Sequence, residues 1–260
     1  MPEQATAIVI RGTDWSETSR ICTLFTREFG KMRGLAKGGR RLRSNFEMAF
    51  DLLTVSRVVF LRKSGGLDLL IEAQVAERYT QLRTNLLALN CGYYLAELLD
   101  AGTQEYDPHP VLFDAACRLL RELPPRDEPG PRPTSPVTAF ELVWLDELGY
   151  GPRFENCAAC GITLPAPHED AVRVIYSPEV GGIVCPACRQ AVRDGYPLGE
   201  RARGALAELQ RAALPWATTP GVVLPPLAPD VRGEVRAVLG YAVSVVLGRR
   251  PKLQAELLRA

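Results

Sequence analysis

The chain has 260 residues, of which 47% are hydrophobic, and its 31 basic and 30 acidic residues leave a net charge of +1. This length suits one large domain or two to three small ones of ordinary globular composition. No run approaches the ~18 uninterrupted apolar residues of a membrane span, and no secretion signal is predicted. Because the whole molecule is not a polycation, binding to nucleic acid requires positive charge concentrated in one place.

The first ~75 residues predict a small β domain, because short stretches rich in β-branched residues follow one another between turn signals. The five strand candidates are Thr6–Arg11, Arg20–Thr26, Gly30–Lys37, Leu52–Arg62 and Leu67–Ile71. A Ser-Gly-Gly turn at residues 64–66 joins the last two as a hairpin. Five strands are the number found in a small Greek-key barrel.

The rest of the chain has the apolar periodicity of helices. The predicted helices are Leu82–Leu99, Pro110–Leu123, Val137–Leu148, Glu200–Ala213 and Pro229–Leu247, with Gln254–Arg259 as a short tail helix. A proline-rich stretch at residues 124–136 is predicted to be an exposed loop. The expected fold class is therefore α+β multidomain. We expect a barrel at residues 1–78, a helical domain from residues 79–150 and 197–260, and a cysteine module at residues 151–196 inserted within it.

Two pairs of cysteines are the strongest motif in the chain. Cys157 and Cys160 form one pair, and Cys185 and Cys188 form the other. Two such pairs can turn four sulfurs toward one point and form a closed tetrahedral site. Zinc is the usual structural occupant of such a site, although iron also fits four thiolates. A closed site leaves no position for substrate, so the predicted role is structural. The alternative is four unrelated buried cysteines.

The remaining cysteines and a nearby histidine are not predicted to bind the metal. Cys22, Cys91 and Cys117 are scattered and odd in number, which favours small core residues in a reducing cytoplasm. His168 lies between the two cysteine pairs, but four cysteines already complete a tetrahedron. We therefore interpret His168 as a surface loop residue.

A second motif is a run of positive charge with no acidic residue between Glu28 and Glu47. Its members are Lys31, Arg33, Lys37, Arg40, Arg41 and Arg43. Gly34, Gly38 and Gly39 allow the backbone to bend and to approach a phosphate. An anionic partner relieves the mutual repulsion of these cations, so we predict that they bind nucleic acid. The alternative is a solvated basic loop with no partner.

Aromatic residues flank this run, and most of them are predicted to fill the core of the barrel. They are Phe25, Phe29, Phe46, Phe50 and Phe60. A five-stranded barrel needs large side chains to fill it, although one or two of these rings are candidates for stacking on bases.

Signatures of catalysis are missing from the sequence. It contains no phosphate-binding Gly-x-x-x-x-Gly-Lys-Ser/Thr loop, no His-Glu-x-x-His and no Gly-x-Ser-x-Gly. A zinc-dependent nuclease or deaminase, as the enzyme alternative, needs an open coordination position and a carboxylate base. We therefore expect a binding protein and not an enzyme.

Several of these segments resemble the bacterial RecO family of DNA repair and recombination proteins. In the amino-terminal part they are residues 7–11, 17–20, 24–31 and 36–41. In the later part they are residues 140–142, 148–152, 157–161 and 181–185, which resemble the zinc module of that family. The segments occur in the same order and span most of the chain.

This resemblance implies an amino-terminal OB-fold, a helical domain and one structural zinc ion held by the four paired cysteines. It also implies a recombination mediator that binds single- and double-stranded DNA and anneals complementary strands. With RecR, and in some settings RecF, such a mediator helps to load RecA onto DNA coated by single-strand-binding protein. The implied location is the cytoplasm, at the nucleoid. The alternative function is an RNA-associated OB-fold protein with a zinc ribbon.

Overall fold

The computed structural model describes residues 1–38, 46, 48–124, 134–165 and 174–254. Three parts of the sequence predictions lie outside these residues: the basic side chains at 40, 41 and 43, the histidine at 168, and most of the proline-rich loop and tail helix. The described residues form two compact units, Met1–Glu128 and Pro129–Ala260. Among them, no helix is both long and apolar enough to cross a lipid bilayer.

The first unit contains a closed five-stranded barrel. Its strands are β1 (Glu3–Asp14), β2 (Arg20–Thr26), β3 (Gly30–Ala36), β4 (Val55–Leu61) and β5 (Asp68–Glu77). They pair in the order β1-β2-β3-β5-β4, and β4 closes onto β1. Only β3 and β5 run parallel, whereas the other neighbours are antiparallel. This is the predicted OB-type barrel, which the structure confirms.

A bulge in β1 decides which side chains point out of the barrel. Val9 pairs with Leu24, but the next pair joins Arg11 to Thr23, so β1 has one extra residue between them. Val9 and Leu24 are buried in the barrel core. Because side chains alternate along a strand, the extra residue reverses the alternation in β1. Arg11 consequently points outward together with Thr23.

Gly34 allows the barrel to close between β3 and β5. The parallel pairing of these strands is short and joins Gly34–Ala36 to Asp68–Leu70. A Cβ atom on Gly34 would lie 2.7 Å from Leu70 Cγ. The sequence suggested that this glycine lets the backbone approach a phosphate, and the structure gives it a packing role at the barrel closure.

Two helices of the first unit pack on the outside of the barrel. They are α1 (Leu86–Gly102), preceded by a 3-10 turn at Thr80–Arg83, and α2 (Pro110–Glu122). The loop between them reaches β3, where the Tyr106 backbone N–H donates to the Lys31 carbonyl oxygen at 2.9 Å. The Tyr106 hydroxyl contacts the Asp68 carboxylate at the start of β5. These contacts make the helical hairpin an integral part of the barrel unit.

The second unit combines three helices with a small antiparallel sheet. Its elements are α3 (Thr134–Glu147), β6 (Val174–Ser177), β7 (Gly182–Val184), a 3-10 turn (Pro186–Ala191), β8 (Tyr196–Leu198), α4 (Glu200–Thr218) and α5 (Arg232–Leu247). The strands pair in the order β7-β6-β8. Helix α3 packs against α4 and α5, and Trp144 and Trp216 are fully buried.

The observed elements follow the sequence predictions closely within each unit, and the small sheet of the second unit was not predicted. Helix α1 begins at Leu86 because residues 80–83 form a 3-10 turn, and α3 begins three residues earlier than predicted, at Thr134. Helices α1 and α2 belong to the same compact unit as the barrel. The division into segments 1–78, 79–150 with 197–260, and 151–196 stays a prediction about domains.

We predict that Gly34→Ala lowers the unfolding free energy by about 1–3 kcal/mol, because the new methyl group overlaps Leu70 at the barrel closure. Gly65→Ala is the matched control, since nothing lies within 4 Å of a Cβ at that turn position. The control should change stability by less than about 0.5 kcal/mol. Urea denaturation followed by circular dichroism measures both. Equal effects of the two substitutions would show that the closure tolerates a side chain.

Candidate metal centre and nucleic-acid interface

The structure brings the four predicted cysteines into one cluster. The sulfur atoms of Cys157, Cys160, Cys185 and Cys188 all lie within 4.8 Å of one another. Cys160 Sγ and Cys185 Sγ are 3.9 Å apart. A zinc–sulfur bond of about 2.3 Å gives a tetrahedron with sulfurs about 3.8 Å apart. The four residues therefore fit a single tetrahedral metal ion.

Backbone turns position both cysteine pairs. The Gly161 N–H donates to the Cys157 carbonyl at 2.8 Å, and the Cys188 N–H donates to the Cys185 carbonyl at 3.0 Å. Gly161 has a φ of +76°, a left-handed conformation that favours glycine, so the residue after the first pair permits the turn. The Cys185 N–H also donates to Cys157 Sγ at 3.3 Å, which links the two pairs directly.

The thiols of the cluster differ in their affinity for protons. Burial raises the pKa of Cys157, but N–H groups of Cys185, Cys160 and Ala159 outweigh it and lower the pKa to about 6. The pKa of Cys188 is raised to about 12, because its thiol donates to the sulfurs of Cys160 and Cys185. Four thiolates this close repel one another, so the donor set is suited to a cation.

A buried arginine attaches the first cysteine loop to α4. Arg203 pairs with Glu200 at 2.6 Å, and the two side chains are only 3% and 6% exposed. Arg203 also donates to the Phe154 carbonyl at 3.2 Å and to the Pro165 carbonyl at 2.6 Å. These two carbonyls lie on either side of Cys157 and Cys160 in the chain. Sequence analysis missed Arg203, because an arginine in an amphipathic helix gives no sign of burial.

The basic run is partly neutralised within the barrel unit. The Lys31 side chain is 12% exposed, donates to the Asp100 carbonyl and lies 4.0 Å from the Asp100 carboxylate. In contrast, Arg33 and Lys37 are exposed and form no ion pair with any described residue. Arg33 lies on β3, and Lys37 directly follows that strand. Within the described part of the basic run, Arg33 and Lys37 therefore carry the positive charge that a ligand can reach.

The aromatic residues near the run belong to the interior. Phe25, Phe46, Phe50 and Phe60 are buried. Phe29 is half-buried and contacts the Phe60 ring edge-on at 5.5 Å. The prediction that most of these rings fill the core is confirmed.

Together, the fold and the cysteine cluster define a class of protein in which an OB-type barrel accompanies a helical unit with four cysteines placed to hold a metal ion. OB barrels bind oligonucleotides on one face, so the exposed Arg33 on β3 and Lys37 directly after it lie on a fold suited to that task. The cluster has the composition of a structural metal site and not of a catalytic one.

Comparison with known proteins agrees with this architecture. The family model for the Recombination protein O N terminal matches residues 1–79, and the model for the Recombination protein O C terminal matches residues 83–255. A DNA repair protein RecO of Rhodopirellula baltica is 32% identical over 95% of this chain and 96% of its own length. Another, from Anaeromyxobacter sp., is 34% identical over 94% of this chain and 91% of its own length.

The chain belongs to the RecO family of DNA repair proteins. Membership confirms the resemblance found in the sequence and favours DNA repair over the RNA-associated alternative.

We predict that Arg203→Ala destabilises the second unit by about 3–5 kcal/mol, because Glu200 is left buried without a partner. Arg201→Ala is the matched control on the same helix, since Arg201 pairs with Asp230 at an exposed position. The control should cost less than about 1 kcal/mol. Urea denaturation followed by the fluorescence of the buried tryptophans measures the difference. If both variants lose the same stability, Arg203 does not anchor the cysteine loop.

Proposed function

We propose that this chain is a non-enzymatic mediator of DNA repair and recombination. It binds single- and double-stranded DNA through the barrel, anneals complementary strands and, with RecR, promotes loading of RecA onto DNA coated by single-strand-binding protein. RecF is a further indirect partner, and the place of action is the nucleoid in the cytoplasm. The observation that carries the proposal is exposed cationic charge on β3 of an OB-type barrel in a RecO-family chain.

Annealing requires charge neutralisation and no bond-making chemistry. Two phosphate backbones repel each other until cations screen them, and a cationic protein face lowers this repulsion so that complementary bases can pair. The residues proposed to supply the charge are Lys31, Arg33, Lys37, Arg40, Arg41 and Arg43. Arg33 and Lys37 are the accessible ones within the described part of the chain. Lys31 is paired with Asp100, so it contributes less accessible charge than Arg33 and Lys37 do.

The four clustered cysteines are proposed to hold one zinc ion. When bound, zinc supplies a covalent-like cross-link between the two cysteine pairs. The protein itself positions one of the ligands, because the Cys185 N–H and the turn at Gly161 hold Cys157 in place. Four thiolates fill a tetrahedron, which supports a structural role and a protein without catalytic metal chemistry.

We predict that replacing Lys37, Arg40 and Arg41 with alanine weakens DNA binding by about tenfold or more at moderate salt, because phosphate contacts dominate the affinity. The slope of log affinity against log salt should fall by about 2 to 3 for three lost contacts. Fluorescence anisotropy with single-stranded DNA measures both quantities. The same variant should anneal complementary strands coated with single-strand-binding protein more slowly than the parent chain does.

The control for this experiment removes the same charge elsewhere, by alanine at Arg57, Arg193 and Arg201. Arg57 and Arg193 are exposed, and Arg201 forms an exposed ion pair. This control should keep the salt slope of the parent chain. The assignment of the basic run is wrong if the first variant keeps both affinity and slope, or if both variants lose them equally.

We predict that the purified protein contains one zinc ion per chain and that Cys157→Ser with Cys185→Ser abolishes its binding. The second unit should then unfold at lower denaturant, because metal-binding energy contributes to folding. Atomic emission spectrometry and urea denaturation measure the two effects.

The matched control replaces Cys91 and Cys117, which are buried in the first unit, with alanine. This control should retain one zinc ion per chain. Native protein without zinc, or a cysteine-pair variant with full stability, would contradict the zinc proposal.

A further inference from the structure

Trp15 is exposed, in contrast to the other two tryptophans of the chain. Trp15 lies in the hairpin between β1 and β2 and is 67% exposed, whereas Trp144 and Trp216 are completely buried. The Trp15 ring makes no ring contact or hydrogen bond with any residue that the structure describes. A single exposed ring needs no explanation by itself, so the case for a ligand rests on the groups that share its face of the barrel.

The hairpin holds Trp15 in a defined place. The Trp15 N–H donates to the Ser19 carbonyl at 3.0 Å, which extends the β1–β2 ladder beyond its last pair, Asp14 with Arg20. The Ser19 N–H donates to Ser16 Oγ at 3.1 Å and closes the turn. A ring on such a closed turn loses little conformational freedom when it binds.

The alternation along β1 places Trp15 on an open strip of the barrel face. Arg11, Thr23 and Arg33 form one row across β1, β2 and β3, and Thr13, Ile21 and Leu35 form the next row. Trp15 lies two residues beyond Thr13, so the same alternation directs its side chain to the outer face of the barrel that Arg11 and Thr13 share. Arg11 and Trp15 are four residues apart, a distance of about 13 Å along a strand.

The helices pack mainly on the other end of this face, and on the strip itself Asp100 of α1 lies 3.7 Å from Arg11. The preceding outward row contains Phe25 and Lys31. Phe25 stacks on Phe113 of α2 at 6.3 Å, and Lys31 bonds to Asp100 of α1. Beyond this row, Arg11 and Arg33 are exposed, Thr23 between them is buried, and Ile21 on β2 and Leu35 on β3 are half-buried. The strip therefore combines cations, partly exposed aliphatic groups and one aromatic ring.

This combination of groups matches single-stranded nucleic acid. Guanidinium groups neutralise phosphates, and an exposed ring stacks on any base, because every base has a π face. The β1–β2 loop and the β2–β3 face are the positions at which OB barrels contact oligonucleotides. Arg11 is 68% exposed and lies 3.7 Å from the Asp100 carboxylate, and so exposed an ion pair is weak enough to exchange for a phosphate.

We propose that Trp15 stacks on a base of bound single-stranded DNA, while Arg11 and Arg33 contact the phosphates of the same strand. The proposal rests on the DNA-binding function proposed above and adds to it a residue outside the basic run. It also separates two kinds of contact within one face, stacking at the hairpin tip and charge neutralisation across the strands.

The test uses the full chain, fluorescein-labelled oligo(dT) longer than the about 4–16 nucleotides that one OB barrel covers, and anisotropy over a range of salt concentrations. Trp15→Ala should weaken binding by about 5- to 150-fold, the usual effect of losing one stacked base. Its salt slope should equal that of the parent chain, because no charge is removed. Arg33→Ala should instead lower the salt slope by about 0.7. Trp15→Phe keeps an aromatic face and should bind within about threefold of the parent.

Tryptophan fluorescence provides a second, independent readout. Unlabelled oligo(dT) should quench the long-wavelength emission of the exposed Trp15 in the parent chain, because a stacked base quenches the indole. Trp15→Phe should retain binding but lose this quenching, since only buried tryptophans then remain. Thermal unfolding of both variants should be close to that of the parent, because the ring is largely exposed and makes no hydrogen bond or ring contact with a described residue.

The outcomes distinguish this proposal from the general function. Loss of affinity in Trp15→Ala with an unchanged salt slope, together with quenching, supports stacking. Normal affinity of Trp15→Ala in a parent chain that binds oligo(dT) overturns the stacking proposal and leaves DNA binding intact. A parent chain that does not bind oligo(dT) at all overturns both.

Discussion

The short parallel pairing of β3 with β5 is the constraint on which the candidate interface depends. This pairing closes the barrel through only three residues of β3, and it requires Gly34 because Leu70 fills the space that a side chain would take. Closure fixes the pleat of β3, so Arg33 points outward in the same row as Arg11 and Thr23. The first part of β3, which β5 does not reach, pairs with the loop that contains Tyr106.

The fold then decides which cations are available to a ligand. Arg27 pairs with Asp114, Arg121 with Glu77 and Lys31 with Asp100, and in each pair the carboxylate belongs to a different element of the barrel unit. These pairs connect α1 and α2 to the barrel strands. Arg33 and Lys37 have no such partner among the described residues. Carboxylates of the same unit therefore neutralise Lys31 in the basic run, whereas the charges of Arg33 and Lys37 stay accessible to a ligand.

Local patterns in the sequence predicted much of this architecture. The spacing of the two cysteine pairs predicted the cluster of four cysteines, because it restricts the geometry, and turn residues between β-branched stretches predicted the five strands. Several other features depend on contacts between residues that are distant in the sequence, so a local sequence pattern does not predict them. The bulge in β1 reverses its outward face, Arg203 becomes buried only when α4 meets the cysteine loop, and Lys31 is neutralised only when α1 reaches the barrel. Trp15 was overlooked because it lies outside the basic run.

The anchoring of the cysteine loop by Arg203 has a consequence for exchange of the zinc ion proposed at this cluster. Phe154 and Pro165, which bracket the first cysteine pair, are tied to α4 by hydrogen bonds that involve no sulfur. A loop with both ends fixed has few conformations to search, so the entropy cost of reassembling the ligands is small. After an ion dissociates, the empty loop should therefore stay close to its coordinating shape and recapture a new ion quickly, without refolding of the surrounding helices.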